Sequence, residues 1–405
     1  MRALVAGAWV ALSACDGGGG DGEVIAPFWS RGGVVAADLD GDGRVDVAVA
    51  ARYVAAPPPH DGFVEVYLQA ADGTYREPVR YPVAADPWGL GVGDLDGDGR
   101  PDLVAASPDT QPLQPGATSD TGVVSVLRQD PASPGRFLAA VTVPTGGAAS
   151  AAAIGLLTPD TLADVVVADA VLANGRALLL AQDPARPGAF LAPIALAVGA
   201  GQGSTDVAVG PVDADGRADI VLATYDGAAV LHQAPDGAFA ATLLSAGLRP
   251  QGVALADLDG DGRADIVVAN AGNAPAGGTG GASVTILLQT AAASFTRIDI
   301  AVPDGARRVV VADFDHDAVP DIAVVSLVYQ ALTDPSRVTV LRQSPTARGQ
   351  FAVLGTMNGP ASAAFIAAGD VNGDGYTDIV LEDGPGVLLQ RPSAPGTFEP
   401  FRPLR

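Results

Sequence analysis

A nine-residue acidic pattern recurs along this chain. Its first copy, residues 38–46 (DLDGDGRVD), places carboxylates at positions 1, 3, 5 and 9 and a glycine at position 6. Calcium takes about six to eight oxygen ligands at flexible geometry, and alternating aspartates in a tight loop can supply several of them. A β-turn rich in Asp-Gly is the alternative, but four carboxylates in nine residues repel one another strongly without a cation. The pattern therefore predicts a loop folded around a hard cation.

The pattern returns at near-regular intervals. Two copies keep all four carboxylates, one carries Asn372 at position 3, and one carries Ala318 in place of the glycine. Two weaker copies have Pro211 or Leu156 at position 1. The seven copies begin at residues 38, 94, 156, 211, 257, 313 and 370. Self-similarity at a near-fixed period indicates a repeat architecture.

Each repeat unit carries four short apolar segments bounded by Gly, Pro and Asp, which is typical of strands. In every unit the third segment ends in Gln, as at Gln69, and an aromatic residue such as Tyr75 opens the fourth. Four strands in about 50 residues fit a propeller blade. A solenoid would need polar terminal caps, and no such segments are found. We therefore predict an all-β fold over residues 24–405, a seven-bladed β-propeller of four-stranded antiparallel blades.

Composition limits the classes of partner. The chain is 48% hydrophobic but only 5% aromatic, so small aliphatic residues must fill the core. The formal net charge of −23 argues against binding to nucleic acid or to anionic lipid. The simpler interpretation of this negative charge is that it keeps the protein soluble and includes the carboxylates of the loops. With a single cysteine, the chain can form no internal disulfide, so packing and metal must stabilise it.

The first residues predict export and anchoring. Residues 1–14 resemble a short signal peptide, and the following Cys15 with its preceding small residues resembles the lipobox of bacterial lipoproteins. Residues 15–23 are glycine-rich and are interpreted as a flexible tether. We expect lipidation of Cys15 and a place in the bacterial cell envelope, with the inner or outer membrane left open. A coincidental cysteine in an ordinary cleaved signal is the alternative.

The units resemble FG-GAP/VCBS repeats, the family of the integrin α-subunit propeller, over roughly residues 24–405. The resemblance implies side-chain ligands at positions 1, 3, 5 and 9 and a backbone carbonyl ligand at position 7, with four or five Ca²⁺ ions per chain. Blade 6 is expected to bind more weakly, because Ala318 stands where glycine permits a positive φ. In blade 4 water could replace the ligand lost at Pro211, and blade 3, which keeps only Asp160 and Asp164, is expected to be empty. The implied ligands are Asp38, Asp40, Asp42, Arg44 and Asp46; Asp94, Asp96, Asp98, Arg100 and Asp102; Asp213, Asp215 and Asp219; Asp257, Asp259, Asp261, Arg263 and Asp265; Asp313, Asp315, Asp317, Val319 and Asp321; and Asp370, Asn372, Asp374, Tyr376 and Asp378.

No catalytic constellation stands out in the sequence, so we expect a binding module and not an enzyme. There is no G-x-S-x-G or H-E-x-x-H motif, and His60, His232 and His316 fall in different units, where each is interpreted as solvated or packed. Two alternatives stay open, a polysaccharide lyase or hydrolase with a carboxylate pair, and a purely structural envelope spacer.

A ligand surface is expected on the upper face, opposite the metal loops, as the resemblance implies. The connections between the second and third strands are long in blades 1, 2, 5 and 6, and functional residues concentrate on such loops. A protein or a glycan at the cell surface is the expected partner of a monomeric propeller. An axial plug formed by Trp88 and Trp29, and tolerated loop insertions without a role, are the alternatives. The candidate ligand-binding residues are Tyr53, Trp88, Arg307, Arg308 and Tyr329.

Overall fold

The structure is a computed structural model. It describes residues 28–54, 61–108, 121–171, 175–186, 188–199, 202–213, 215–272, 281–291, 294–327 and 334–404. The predicted signal peptide, Cys15, the tether, His60 and Tyr329 lie outside these residues. Among the described residues, no helix has the length and apolarity that crossing a membrane requires.

The described chain forms seven four-stranded antiparallel sheets, each built from strands that follow one another in sequence. The predicted fold class is therefore confirmed. In chain order the blades are β1–β4 (Phe28–Ala37, Asp46–Val54, Asp61–Tyr67, Val79–Val83), β5–β8 (Gly89–Gly93, Asp102–Ser107, Val123–Leu127, Val141–Pro144), β9–β12 (Ala149–Gly155, Asp164–Asp169, Arg176–Leu180, Ile194–Ala197), β13–β16 (Ser204–Gly210, Asp219–Thr224, Gly227–Gln233, Phe239–Ser245), β17–β20 (Pro250–Ala256, Asp265–Asn270, Ser283–Ala291, Ser294–Ala301), β21–β24 (Gly305–Ala312, Asp321–Leu327, Pro335–Ser344, Ala347–Ala361) and β25–β28 (Ile366–Gly369, Asp378–Leu381, Gly386–Leu388, Arg402–Pro403).

Burial changes from the inside of each blade to its outside. Every residue of the second strands β6, β10, β14, β18 and β22 is buried, because neighbouring blades cover both faces. The fourth strand β16 instead contains only half-buried and exposed residues, since one of its faces meets solvent. The continuous apolar runs of the sequence are thus the second strands of the blades.

The first strands form the inner ring. Each contacts the first strand of the next blade, in the order β1, β5, β9, β13, β17, β21 and β25, and β25 contacts β1. Glycine permits this close approach, because a Cβ on Gly33 would lie 2.4 Å from the backbone nitrogen of Leu90, and one on Gly91 would lie 2.6 Å from the carbonyl oxygen of Ala152. Blades 7 and 1 also share an apolar cluster that includes Val34, Val49 and Val380. Packing between blades 1 and 7 therefore completes the ring.

Candidate metal-binding loops

The first aspartate of each complete loop folds the loop around itself. In blade 1 the carboxylate of Asp38 accepts hydrogen bonds from the backbone N–H groups of Gly41 at 2.7 Å, Asp42 at 3.1 Å and Gly43 at 2.9 Å. The two glycines have φ values of 77° and 84°, in the left-handed region where a Cβ is disfavoured. Position 6 is therefore glycine for a conformational reason, as the sequence pattern indicated.

The last aspartate of each loop ties the loop to its own blade. Asp46 is fully buried, and its two oxygens accept the N–H groups of Leu39 at 2.8 Å and Gln69 at 2.7 Å. Burial raises the pKa of Asp46 to about 6, although these two N–H groups oppose the rise. The backbone N–H of the repeated Gln is bonded in the same way by Asp102, Asp164, Asp219, Asp265, Asp321 and Asp378.

The aspartate at position 3 of the loop indicates whether the loop is suited to a metal ion. Asp40, Asp96 and Asp315 each hold a buried Oδ1 that makes no hydrogen bond with the described residues. A buried carboxylate oxygen without a donor, close to other carboxylates, is costly unless a cation lies beside it. Four loops each bring three carboxylate oxygens within 4.8 Å of one another. These trios are Asp38, Asp40 and Asp42; Asp94, Asp96 and Asp102; Asp257, Asp259 and Asp265; and Asp313, Asp315 and Asp321. These loops could hold a divalent cation that prefers oxygen.

The arginine at position 7 has a second role that the sequence analysis missed. The resemblance assigned only its carbonyl, but its guanidinium forms an ion pair with the position-5 carboxylate in four blades. In blades 1, 4 and 5 its Nε also donates to the carbonyl oxygen of the repeated Gln, at 3.1 Å between Arg263 and Gln289. The side chain thus limits the negative charge of the loop and fixes it to the third strand. The four pairs are Arg44 with Asp42, Arg100 with Asp98, Arg217 with Asp215, and Arg263 with Asp261.

Blade 6 departs from this pattern in two ways. Ala318 has a φ of 63° and His316 a φ of 60°, so two residues with a side chain adopt the left-handed conformation. The sequence analysis anticipated the first of these and missed the second. Val319 replaces the position-7 arginine, and Arg342 from the third strand forms ion pairs with Asp315 and with Asp317, the latter at 3.3 Å. Both features are consistent with a weaker metal site, which stays a prediction.

Blade 7 keeps the shape of the complete loops. Asp370 accepts the N–H groups of Gly373 at 2.8 Å and Asp374 at 3.1 Å. The side-chain oxygen of Asn372 accepts the N–H of Asp374 at 2.9 Å, so this amide folds the loop as an aspartate would. The ring of Tyr376 lies 4.4 Å from that of His316, which makes His316 a packed residue.

Blades 3 and 4 hold the degenerate loops. In blade 3 Asp160 accepts the N–H of Leu162 at 2.9 Å, and its expected lack of metal stays a prediction. In blade 4 His232 lies beside the loop, with Nδ1 3.3 Å from a carboxylate oxygen of Asp213 and 3.8 Å from one of Asp219. The sequence analysis interpreted this histidine as solvated or packed and did not connect it with the loop.

In three blades the side chain of the repeated Gln connects its blade to the loop of the preceding blade. The side-chain amide of Gln129 donates to the carbonyl oxygen of Leu39 at 2.7 Å, and that of Gln182 donates to Leu95 at 2.6 Å. Both acceptors lie at position 2 of the loop in the preceding blade. Gln69, Gln129 and Gln182 therefore each hold the loop of the preceding blade in the ring through a side-chain hydrogen bond.

The candidate ligand residues of the upper face are largely engaged within the protein. Arg308 forms an ion pair with Asp206 at 3.4 Å and lies 4.8 Å from the ring centroid of Phe365. Trp88 packs edge-to-face on the same Phe365, with the centroids 5.4 Å apart. Arg307 is buried and donates to the side-chain oxygen of Gln251 at 2.8 Å. These contacts cross between blades, and they favour the interpretation of Trp88 as part of an axial plug.

Tyr53 and the long upper connections remain as candidates. Tyr53 is half-buried at the end of β2, where it pairs with Trp29 in β1. The connections 52–62, 107–122, 270–282 and 326–337 extend beyond the described residues. Blade 4 instead has a tight hairpin in which Thr224 pairs directly with Gly227.

Comparison with known proteins agrees with this geometry. A model of an FG-GAP-like repeat matches residues 38–105 and 212–268, and a model of the FG-GAP repeat matches residues 87–127 and 250–287. With seven four-stranded blades arranged in a ring, the chain is an FG-GAP repeat β-propeller. A search of curated proteins finds no significant match.

Several solved structures are similar to this chain at low identity. The exotype rhamnogalacturonan lyase YesX has a TM-score of 0.50 and 15% identity, over 88% of this chain and 70% of that chain. A lectin of Agrocybe aegerita specific for non-reducing terminal N-acetylglucosamine has a TM-score of 0.48 and 16% identity, over 89% and 86%. A protein from Lactobacillus plantarum has a TM-score of 0.49 and 12% identity, over 85% and 93%. At these identities the likeness concerns the fold alone.

Proposed function

We propose that this protein is a calcium-stabilised, lipid-anchored propeller of the bacterial cell envelope that binds a protein or a glycan through its upper face. The observation that carries the calcium part is the set of buried position-3 oxygens, on Asp40, Asp96 and Asp315, that no described group satisfies. Oxygen-only donor sets suit calcium. Four or five ions per chain are proposed.

Calcium in this protein is structural. Each ion would be held by a loop of one blade, and each loop is fixed to its own third strand through residues such as Asp46 and Gln69. Metal that binds only the folded state raises stability by mass action. The ions would therefore hold the loops against the strands, with the ligand surface on the other face.

The ligand surface is proposed to be the rim of the upper face. Trp88 and Arg308 both pack on Phe365, so the proposed contacts with a partner come from the connections between second and third strands. These connections differ in length from blade to blade, and a purely structural spacer would not require such differences in length. A binding partner would contact several of them at once.

The test combines glycan arrays and envelope pull-downs with loop deletions. Each of the four long connections is shortened to the blade 4 form, Thr224-Tyr225-Asp226-Gly227, whose hairpin closes without further residues. The proposal predicts an unchanged melting temperature and at least tenfold weaker binding for one or more variants. Full affinity in all four variants would move the site elsewhere, and depolymerisation of a captured polysaccharide would favour the enzymatic alternative.

The anchor is tested separately. Cys15→Ser should release the protein from the membrane fraction or block its processing, because stable anchoring requires two or more acyl chains. An intact, unmodified Cys15 in the mature protein would contradict the anchor without affecting the calcium sites.

A further inference from the structure

The loop of blade 4 has lost one acidic ligand and gained an imidazole. Pro211 stands at position 1, where the complete loops have aspartate. The third strand, β15, places His232 directly against the remaining carboxylates. Its Nδ1 lies 3.3 Å from Asp213 Oδ2 and 3.8 Å from Asp219 Oδ2. The three ligand atoms come from two separate segments of the blade.

The environment of His232 Nδ1 favours a bound cation. The atom is buried and makes no hydrogen bond with any described residue, while the carboxylate of Asp219 beside it is fully buried. A proton on Nδ1 would point along a direction that forms no hydrogen bond with either. An ion between the three atoms would give Nδ1 a partner and offset the charge of both carboxylates, of which Asp219 Oδ2 also accepts the N–H groups of Val212 at 3.0 Å and Asp213 at 3.2 Å.

The spacing and the donor types favour a transition metal over calcium. Ligand atoms about 2.1 Å from a tetrahedral ion lie roughly 3.4 Å apart, close to the separations found here. Calcium prefers oxygen ligands, whereas imidazole suits first-row transition metals. At the position of His232, directly before the repeated Gln, blades 1, 5 and 7 carry Leu68, Leu288 and Leu389, which supply no ligand.

We propose that blade 4 binds a divalent first-row transition-metal ion such as Zn²⁺ through Asp213, Asp219 and His232. Three protein ligands leave at least one coordination position for water. Asp215 contributes nothing to this set, because its carboxylate is paired with Arg217. The site is independent of the upper face and of the calcium loops in the other blades.

The experiment is a titration of the metal-stripped full chain with Zn²⁺ while millimolar Ca²⁺ keeps the other loops filled. The parent should take up one Zn²⁺ that His232→Leu loses or binds at least tenfold more weakly, and Co²⁺ should give a ligand-field absorption band only in the parent. Leucine is tolerated at this position in three other blades, so His232→Leu should keep its melting temperature in Ca²⁺. Asp213→Asn should weaken Zn²⁺ binding in the same way.

His316→Asn serves as the matched control, because it removes a histidine from within the blade 6 loop and asparagine tolerates a positive φ. It should bind Zn²⁺ like the parent. Equal Zn²⁺ binding by His232→Leu and the parent would overturn the proposal, as would a parent that binds no Zn²⁺ under these conditions.

Discussion

The side-chain amide of Gln69 in blade 1 donates a hydrogen bond to the carbonyl oxygen of Val371 in blade 7, 302 positions further along the chain. The backbone N–H of the same Gln69 is held by Asp46, the last residue of the blade 1 loop, at 2.7 Å. The ring is therefore closed by the same contact that joins blade 2 to blade 1 through Gln129 and Leu39. Closure requires no exchange of strands between the two ends of the described chain.

Loss of this closing contact should weaken the fold. Gln69→Ala removes a donor from a buried carbonyl, and we expect a loss of about 1 kcal/mol beyond the cost of the cavity. Gln289→Ala is the matched control, because Gln289 is fully buried but its side chain makes no hydrogen bond with the described residues. Urea unfolding in saturating Ca²⁺ should show the larger loss for Gln69→Ala. Equal losses of stability in the two variants would mean that the Gln69 side chain stabilises the fold by packing and not by its hydrogen bond.

Backbone strain at position 6 of the loops predicts opposite changes in stability for two exchanges between alanine and glycine, one in blade 6 and one in blade 1. Ala318 has a φ of 63°, and Gly43 at the same position in blade 1 has a φ of 84°. Ala318→Gly should raise the free energy of unfolding by about 1 kcal/mol, and Gly43→Ala should lower it by a similar amount. A Cβ on Gly43 would meet nothing within 4 Å, so the cost there comes from the backbone alone. Loss of stability in Ala318→Gly would contradict this account.

A buried carboxyl in blade 7 should make stability depend on pH. Glu382 is buried and accepts the N–H groups of Ala364 at 2.6 Å and Phe365 at 3.0 Å, and desolvation raises its pKa from 4.5 to about 8. Because the folded pKa exceeds the unfolded one, folding takes up a proton between these values. The stabilisation is therefore complete below about pH 4.5 and is lost as the pH rises to about 8, by at most about 1.4 kcal/mol per pH unit.

The variant Glu382→Gln should remove this slope. The free energy of unfolding, measured at pH 5 and pH 8 in saturating Ca²⁺, should differ less in the variant than in the parent. Glu399→Gln, at an exposed position of the same blade, is the control and should keep the slope of the parent. An unchanged slope in Glu382→Gln would assign the pH dependence to other groups.

The fold could be predicted from the sequence because each repeat carries its own complete set of local signals. The loops fix the strand boundaries, as where Asp46 begins β2, and the number of loops equals the number of blades. The predicted left-handed residue at Ala318 is also confirmed, since its φ follows from the loop geometry alone. Local patterns of this kind need no knowledge of packing.

The contacts that cross between strands could not be predicted in the same way. Arg342 and His232 reach their loops from the third strand, and a sequence pattern does not state which side of a strand faces a loop. Both residues directly precede the repeated Gln. An alignment of the seven units on this Gln would have shown that they occupy the same position. The Arg308 side chain is positioned by Asp206 in blade 4 and Phe365 in blade 7, which lie far from it in sequence.

Thermal unfolding with and without Ca²⁺ tests the central claim most directly, that the acidic loops hold the fold through bound calcium. The melting temperature of the parent should fall in excess chelator at neutral pH and low salt, because metal bound only to the folded state stabilises it. Asp257→Ala, in a loop where three carboxylates converge, should lower the melting temperature in Ca²⁺ more than Asp160→Ala in the degenerate loop of blade 3. An unchanged melting temperature of the parent in chelator would contradict the account, and the reverse order of the two variants would show that the filled loops have been wrongly assigned.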